Sequence, residues 1–93
     1  MDHVRNEPFY YTYVLQSMST NKLYIGYTQD LRKRFKDHND GKSVYTRQKG
    51  PYKLIYYEAC LNKVDARSRE LYLKSGRGRR FIYSRLNRFL FRT

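Results

Sequence analysis

Two segments near the start of the chain, residues 9–16 and 23–28, are rich in aromatic and β-branched residues, and a short polar segment separates them. This pattern predicts two β-strands joined as an antiparallel hairpin. With residues 17–20 as the turn, Tyr13 should lie directly opposite Tyr24. Residues opposite each other on paired strands point to the same face, so both phenols should share one face of the sheet.

Residues 30–39 carry the spacing of an amphipathic helix. At 100° per residue, Leu31 and Phe35 fall on one arc of the helix, and Arg34 and His38 fall on the same arc. The opposite arc holds charged side chains that should face solvent, namely Arg32, Lys33, Lys36 and Asp37. We therefore predict that Arg34 and His38 point inward together with the apolar stripe.

After Pro51, residues 52–59 again combine aromatic and branched apolar side chains, which predicts a third strand. Strict alternation along this strand would place Leu54 and Tyr56 on one face. The intervening Ile55 would then point to the other face.

Capping residues indicate where the helices begin and end. Thr28 or Asp30 can cap the first helix, and Asp65 can cap a second helix that runs to about residue 74 and ends at Gly76. A third helix is predicted over about residues 80–90. On the second helix, three residues recur on one face and place a carboxylate within an apolar stripe, namely Ala66, Glu70 and Leu73.

The predicted order is strand, strand, helix, strand, helix, helix. This order indicates an α+β domain in which a small three-stranded antiparallel sheet is flanked by about three helices. A chain of 93 residues has room for one such unit, which we expect over residues 9–90. Residues 1–8 are expected to form a flexible N-terminal tail.

The charge of the chain narrows the class of partner. Twenty Lys and Arg residues against eight Asp and Glu residues give a net charge of +12, which favours nucleic acid or an anionic membrane. No apolar run approaches the roughly 18 residues of a membrane-spanning helix. Residues 1–8 contain acids and no apolar stretch, so they do not resemble a signal peptide. We expect a cytoplasmic protein.

Basic residues are concentrated in two segments. Residues 71–93 contain seven Lys and Arg and no acid, and a second basic group lies in the loop before the third strand. We predict that both segments contact the nucleic-acid backbone through Lys42, Arg47, Lys49, Lys74, Arg77, Arg79 and Arg80. Their pattern gives no indication of base-specific recognition.

Five polar side chains are predicted to face the packed side of their elements, namely Tyr13, Tyr24, Arg34, His38 and Glu70. The tyrosines, the histidine and the glutamate each have an ordinary structural explanation: a sheet tyrosine packs, a histidine at a helix end donates a hydrogen bond, and a glutamate forms a surface ion pair. Together, however, their burial would cost on the order of 1 to 3 kcal/mol each unless they satisfy one another or line a site.

Those residues carry a resemblance to the GIY-YIG nuclease superfamily, especially to its small single-domain bacterial members. The two tripeptides are Tyr11-Thr12-Tyr13 and Tyr24-Ile25-Gly26, with ten residues between them. An arginine follows the second tyrosine by ten residues and a histidine by fourteen, as in the family. The resemblance runs from about residue 10 to residue 87. It departs from the family at residues 11 and 12, where Gly-Ile is usual, and in having no room for a separate DNA-reading domain.

The resemblance implies roles for particular positions. Tyr13, Tyr24, Arg34 and His38 would be catalytic, Gly26 would be the motif glycine, and Glu70 would bind a single Mg²⁺ or Mn²⁺ ion. Three further positions are similar to recurrent polar residues of the small members, namely Asn39, Thr46 and Asn87.

These residue types suit phosphodiester hydrolysis, which needs a positioned water and neutralised phosphate oxygens. Arg34 offers a planar fork to a phosphate, and one carboxylate with water and phosphate can complete the shell of Mg²⁺. By resemblance, Tyr13 is the base or the group that orients the water, with Tyr24 beside it. We expect nearby cations such as Arg34 to lower the pKa of the phenol and His38 to relay its proton. Glu58 is the reserve metal ligand.

The sequence therefore predicts a metal-dependent endonuclease that cleaves DNA with little sequence preference, with RNA as the other nucleic acid it could take. The alternative is a non-catalytic nucleic-acid-binding module that keeps the same fold and basic surface. A membrane-binding protein is disfavoured because no hydrophobic anchor accompanies the charge. We expect a monomer.

Overall fold

The computed structural model describes residues 8–44 and 46–91, so residues 1–7 of the predicted tail lie outside the described residues. Three strands form one antiparallel sheet in the order β2-β1-β3, and helices cover both of its faces. The elements along the chain are β1 Tyr10–Ser17, β2 Leu23–Thr28, α1 Leu31–Asn39, β3 Tyr52–Cys60, α2 Lys63–Lys74, α3 Gly76–Arg85 and α4 Asn87–Leu90. The predicted α+β architecture is confirmed, and the part of the chain that the structure describes contains four helices in place of about three. Within these residues, none of the helices has the length and apolar character needed to cross a membrane.

The β1–β2 hairpin has a different register from the predicted one. Tyr13 lies opposite Gly26, and Tyr24 lies opposite Leu15, so the prediction that Tyr13 faces Tyr24 is wrong by two residues. The turn is longer than predicted because Ser17 pairs with Lys22, and Asn21 closes it with a φ of 64°. A shift of two residues preserves the face of every side chain, so both phenols still share one face.

A bulge in β3 changes the predicted facing of its side chains. Val14 pairs with Tyr56 while Leu15 pairs with Leu54, which leaves one extra residue in β3 between the two pairs. Leu54 therefore packs with Leu15, whereas Tyr56 packs in the cluster of the opposite face. The prediction that Leu54 and Tyr56 share a face is wrong because the bulge interrupts the alternation of the strand.

The first face of the sheet is covered by α1. Asp30, one of the two predicted caps, is the N-cap, and its side chain accepts a hydrogen bond from the backbone N–H of Lys33. The apolar side chains of α1, Leu31 and Phe35, pack on a cluster formed by Tyr13, Leu15 and Tyr52. The inward direction predicted for His38 is confirmed, because His38 is 2% exposed.

The second face carries the main aliphatic core. Val14 and Ile25 of the sheet pack against Leu73 of α2 and Ile82 of α3, and all four are almost fully buried. Asn62, and not the predicted Asp65, is the N-cap of α2, because its side chain accepts from the N–H groups of the second and third helical residues. Asp65 lies in the first turn, where its charge suits the helix dipole.

The helix predicted over residues 80–90 begins earlier and is divided in two. Ser75 caps α3 through a hydrogen bond from the N–H of Gly78, so the helix includes both glycines of the segment. Gly78 is buried, and a Cβ at this position would overlap with the carbonyl of Tyr72 and the Cα of Leu73. The absent side chain allows α3 to begin directly against the last turn of α2. After Arg85 the chain turns once and re-enters a short helix.

The packing of α3 on α2 can be tested with the two glycines of this segment. Gly78→Ala should lower the free energy of unfolding by about 3 kcal/mol or more, because the added methyl meets rigid backbone. Gly76→Ala is the matched control, since the nearest atom to its Cβ is the flexible Arg80 guanidinium at 3.9 Å. Urea unfolding measures both. Equal stabilities of the two variants would contradict the close contact at Gly78.

Candidate active site

A buried hydrogen bond connects the sheet to α1. Tyr13, in the centre of β1, is 1% exposed, and its hydroxyl lies 2.8 Å from Nε2 of His38. The two rings meet edge to face, with their centroids 5.8 Å apart. Two residues separated by 25 positions in the sequence are therefore joined by a specific contact between polar groups.

Gly26 provides the space for this contact. It lies opposite Tyr13 on β2, and a Cβ at Gly26 would overlap with the hydroxyl end of the Tyr13 ring. The tyrosine ring therefore lies across the backbone of the glycine. This gives the motif glycine a steric role that depends on the observed register, in which Tyr13 and Gly26 face each other.

The other nitrogen of His38 is held by the loop that follows α1. Nδ1 lies 2.7 Å from Oγ1 of Thr46, which is itself 1% exposed. Burial, and secondarily the positive charge of Arg34, lower the pKa of His38 to about 4, while Asp37 acts weakly in the opposite direction. His38 is therefore neutral at pH 7 and bonded at both ring nitrogens, in a chain from Tyr13 through His38 to Thr46.

The environment of Tyr13 differs from the one expected from the sequence. Burial raises the pKa of Tyr13 to about 12, although Arg34, which lies beside the hydroxyl, acts to lower it. Tyr24 and the negative charge of Glu70 raise it further. In place of the expected phenolate, Tyr13 is a protonated phenol at neutral pH, because the loss of hydration outweighs the nearby cation.

Aromatic rings surround the imidazole of His38. The ring of Tyr24 lies 5.0 Å from it and that of Tyr52 lies 6.2 Å from it, measured between centroids. Tyr24 is half-buried, whereas Tyr13 and Tyr52 are buried. Of the two motif tyrosines, Tyr24 is the one that solvent reaches. Tyr52 belongs to no recognisable motif. Only its position at the start of a predicted strand could have suggested that its ring packs beside His38.

Glu70 approaches the site from the other side of the sheet. It lies on α2, which packs on the second face, and its side chain is only 14% exposed. Its carboxylate pairs with Arg67 at 3.2 Å and with Lys74 at 3.0 Å. The negative charge of Glu70 contributes to the raised pKa of Tyr13, but less than burial, Arg34 or Tyr24 affect it.

The donor groups fit a metal that needs few protein ligands. Within residues 8–44 and 46–91, no three His, Cys, Asp or Glu side chains come together to hold an ion. A single carboxylate such as Glu70 suits Mg²⁺, which keeps most of its waters and takes phosphate oxygens. Glu58, the reserve ligand, is engaged elsewhere: Arg69 binds it with two hydrogen bonds of 2.8 and 2.7 Å, and the Tyr56 hydroxyl adds a third.

The three weaker positions lie in different surroundings. Thr46 contacts His38 directly, as described above. The side chain of Asn39 forms two hydrogen bonds with the backbone of Tyr52: it accepts from the N–H at 2.7 Å and donates to the carbonyl at 3.1 Å. These bonds connect the end of α1 to the start of β3. Asn87 is exposed at the start of α4, whose Leu90 packs in the second-face core.

The predicted backbone-binding cations divide into two groups. Lys42, Arg47 and Lys49 are exposed on the loop after α1, and the carbonyl of Lys49 accepts hydrogen bonds from Ser17 and Ser19 of the hairpin turn. The second group lies at the junction of α2 and α3. There Lys74 is paired with Glu70, Arg79 is partly buried, and two further side chains are exposed, namely Arg77 and Arg80.

The neutral state of His38 predicts a specific pH dependence of stability. Its pKa is about 4 in the folded chain and about 6.5 when unfolded, so protonation favours unfolding. The stability tied to the neutral ring is present above pH 6.5 and is lost as the pH falls towards 4. Between pH 7 and pH 5 the free energy of unfolding should therefore fall by about 2 kcal/mol because of this group.

Urea unfolding of the native chain and of His38→Gln at both pH values measures this effect. The variant should be less stable at pH 7, because its partners lose a hydrogen bond, but it should lose less than half as much stability on acidification. An equal loss in the two proteins would exclude a buried neutral imidazole.

Comparisons with known proteins agree with this geometry. A family model described as the GIY-YIG catalytic domain matches residues 9–86. A UPF0213 protein of Clostridium perfringens is 48% identical over 65 residues, covering 69% of each chain. UPF0213 protein YazA of Bacillus subtilis is 41% identical over 70 residues, covering 74% of this chain and 68% of its own.

The fold has a match among solved structures. The solution NMR structure of a UPF0213 protein from Bacillus halodurans matches with a TM-score of 0.52 and 34% identity, covering 82% of this chain and 83% of that one. The predicted resemblance and the predicted fold are both confirmed. The chain belongs to the GIY-YIG catalytic domain family, and its relatives include small bacterial UPF0213 proteins.

Proposed function

We propose that this protein is a metal-dependent endonuclease that hydrolyses phosphodiester bonds of DNA with little sequence preference, acting on branched or damaged structures. Membership in the GIY-YIG family supports a nuclease-like role and a nucleic-acid substrate. The strongly basic composition supports binding through the phosphate backbone rather than through base edges.

The observation that carries the proposal is the hydrogen-bonded chain from Tyr13 through His38 to Thr46, with Arg34 beside it. A fold that needed only packing would fill these central positions with apolar side chains. Instead, three polar groups are buried and satisfied, the guanidinium of Arg34 lies beside the Tyr13 hydroxyl, and the half-buried ring of Tyr24 lies against His38. Such an arrangement holds its groups in fixed positions, which is what phosphoryl transfer requires.

In this proposal Arg34 binds the scissile phosphate. Its planar guanidinium can donate two hydrogen bonds to non-bridging oxygens and stabilise the charge that develops on them. Arg34 is half-buried beside Tyr13, so its charge acts in a less polar setting than on the open surface.

The two tyrosines have different roles. At pH 7, ionising a phenol with a pKa of about 12 costs about 7 kcal/mol, and Tyr13 is closed to solvent. We therefore assign to Tyr24, which is half-buried and next to His38, the contact with the attacking water. Tyr13, which is buried, positions His38 and Arg34 through its hydroxyl.

Glu70 is the residue that would hold the divalent ion. An ion bound there would neutralise phosphate charge and stabilise the leaving oxygen. The carboxylate is paired with Arg67 and Lys74, whose side chains are 57% and 47% exposed, so in this proposal both cations contact the DNA backbone when the ion is bound.

Those same contacts favour the alternative, a non-catalytic module that binds nucleic acid. A glutamate already neutralised by two cations offers less attraction to a metal, and the basic surface alone is sufficient for backbone binding. Both functions predict that the protein binds DNA, so a measurement of DNA cleavage distinguishes them.

The proposal can be tested with supercoiled plasmid and branched DNA in Mg²⁺ or Mn²⁺. The native chain should nick, and Glu70→Gln should reduce the rate by about 100-fold or more while low-salt binding persists. Tyr24→Phe should slow nicking without loss of stability. The matched control is Asp65→Asn, an exposed acid on the same helix, which should nick normally.

Nicking should also stop when a chelator removes the ion. If the native chain binds DNA and cleaves none of the substrates, the non-catalytic module is the correct function. If Glu70→Gln nicks as fast as the native chain, the assignment of the metal ligand is wrong.

A further inference from the structure

A second concave surface lies away from Tyr13 and His38, at the hairpin end of the opposite sheet face. The cleft has a volume of about 670 Å³. One residue from each strand lines the cleft, namely Gln16, Leu23 and Lys53. Helix α3 contributes Arg79 and Tyr83. This size is in the range of sites that hold small molecules or single nucleotides.

The cleft combines cations with aromatic rings. Three cations, Lys22, Lys53 and Arg79, line it, and the described residues around it include no acid. The ring of Phe91 is 57% exposed and that of Tyr83 is 40% exposed, and their centroids lie 5.8 Å apart. Exposed apolar residues that form one contiguous patch often mark an interaction site, and these two rings adjoin each other next to three cations. One of the cations, Lys53, lies over the ring of Phe89 with its amino group 5.2 Å from the ring centroid.

We propose that this cleft binds a single-stranded segment of DNA, with unpaired bases stacked on Tyr83 and Phe91 and with phosphates on Lys22, Lys53 and Arg79. Stacking platforms bordered by cations are the usual means by which proteins hold single strands. In a duplex the base faces are covered by their neighbours, so the rings can be used only where DNA is unpaired.

The position of the cleft relates it to the candidate active site. Leu23 lines the cleft, and the next residue of β2, Tyr24, points to the other face beside His38. The β1–β2 turn also binds the loop that carries Lys49, because the hydroxyls of Ser17 and Ser19 donate hydrogen bonds to the Lys49 carbonyl. The exposed Lys49 therefore lies on a loop that adjoins the turn, so a strand that crosses the turn from the cleft towards Tyr24 has a further cation nearby.

This inference deepens the proposed function, since it supplies a reason for a preference for branched or damaged DNA. It also stands apart from catalysis, because the cleft contains none of the residues assigned to the chemistry. Binding measured without any metal therefore tests the cleft whether or not the chain cleaves DNA.

The probe is an oligothymidylate with one 2-aminopurine, whose fluorescence falls when the base stacks, in buffer containing a chelator. The native chain should bind it more tightly than a duplex of the same length and should quench it. Phe91→Ala or Tyr83→Ala should weaken binding by about tenfold and remove most of the quenching. The matched control is Tyr57→Ala, an aromatic residue that is 52% exposed elsewhere on the sheet.

The cations are tested by salt dependence. Lys22→Gln should reduce the slope of log affinity against log salt by about 0.7, as expected for one phosphate contact of a single strand. The control Lys63→Gln, an exposed lysine at the start of α2, should leave the slope unchanged. Three results would each overturn the proposal. The duplex could bind more tightly than the single strand, Phe91→Ala could quench the fluorescence as strongly as the native chain, or polyglutamate could compete as effectively as single-stranded DNA.

Discussion

The hydrogen bond between the Tyr13 hydroxyl and Nε2 of His38 is the contact on which the site depends. It exists because Gly26 leaves room for the tyrosine ring and because α1 lays its polar positions, as well as its apolar stripe, against the sheet. Thr46 completes the chain at the other nitrogen. Without that bond, a buried hydroxyl and a buried ring nitrogen would each lose a hydrogen-bond partner in the centre of a small domain, at a cost of about 1 to 3 kcal/mol for each group left unsatisfied.

The burial of Tyr13 and His38 also determines their protonation states, and so which groups of the proposed site can take part in proton transfer. Desolvation keeps His38 neutral and Tyr13 protonated, in opposition to what a net charge of +12 would suggest for a phenol. Local dielectric therefore outweighs the overall field of the protein. Arg34 and Tyr24 are half-buried and lie next to the buried pair, so they are the groups to which the proposed function assigns contact with substrate and water.

Much of this arrangement could be predicted from residue type and spacing. Helical periodicity placed His38 and Arg34 on the inner side of α1, and strand alternation placed Tyr13 and Tyr24 on one face. Features that depend on backbone detail could not be predicted. The hairpin turn includes a left-handed Asn21, the pairing of β3 contains a bulge that no residue type indicates, and the start of α3 depends on a close backbone contact at Gly78.

Burial was the main quantity that the sequence could not supply. Spacing indicates which way Tyr13 points, but it does not indicate that its hydroxyl is closed to solvent, and the direction of its pKa depends on that closure. The cleft beside Phe91 was missed for a related reason. Its cations come from three separate segments, none of which is unusual alone.

We propose that Glu70, on the helix that packs on the second face of the sheet, shares a single site with Tyr24 and His38 of the first face. Paramagnetic broadening by Mn²⁺, followed in the NMR spectrum of the whole chain, tests it most directly. With a shared site, substoichiometric Mn²⁺ should broaden the ring signals of Tyr24 and His38 before those of Tyr57 and Tyr83, and Glu70→Gln should abolish this selectivity. Broadening centred elsewhere, or unchanged in Glu70→Gln, would contradict it.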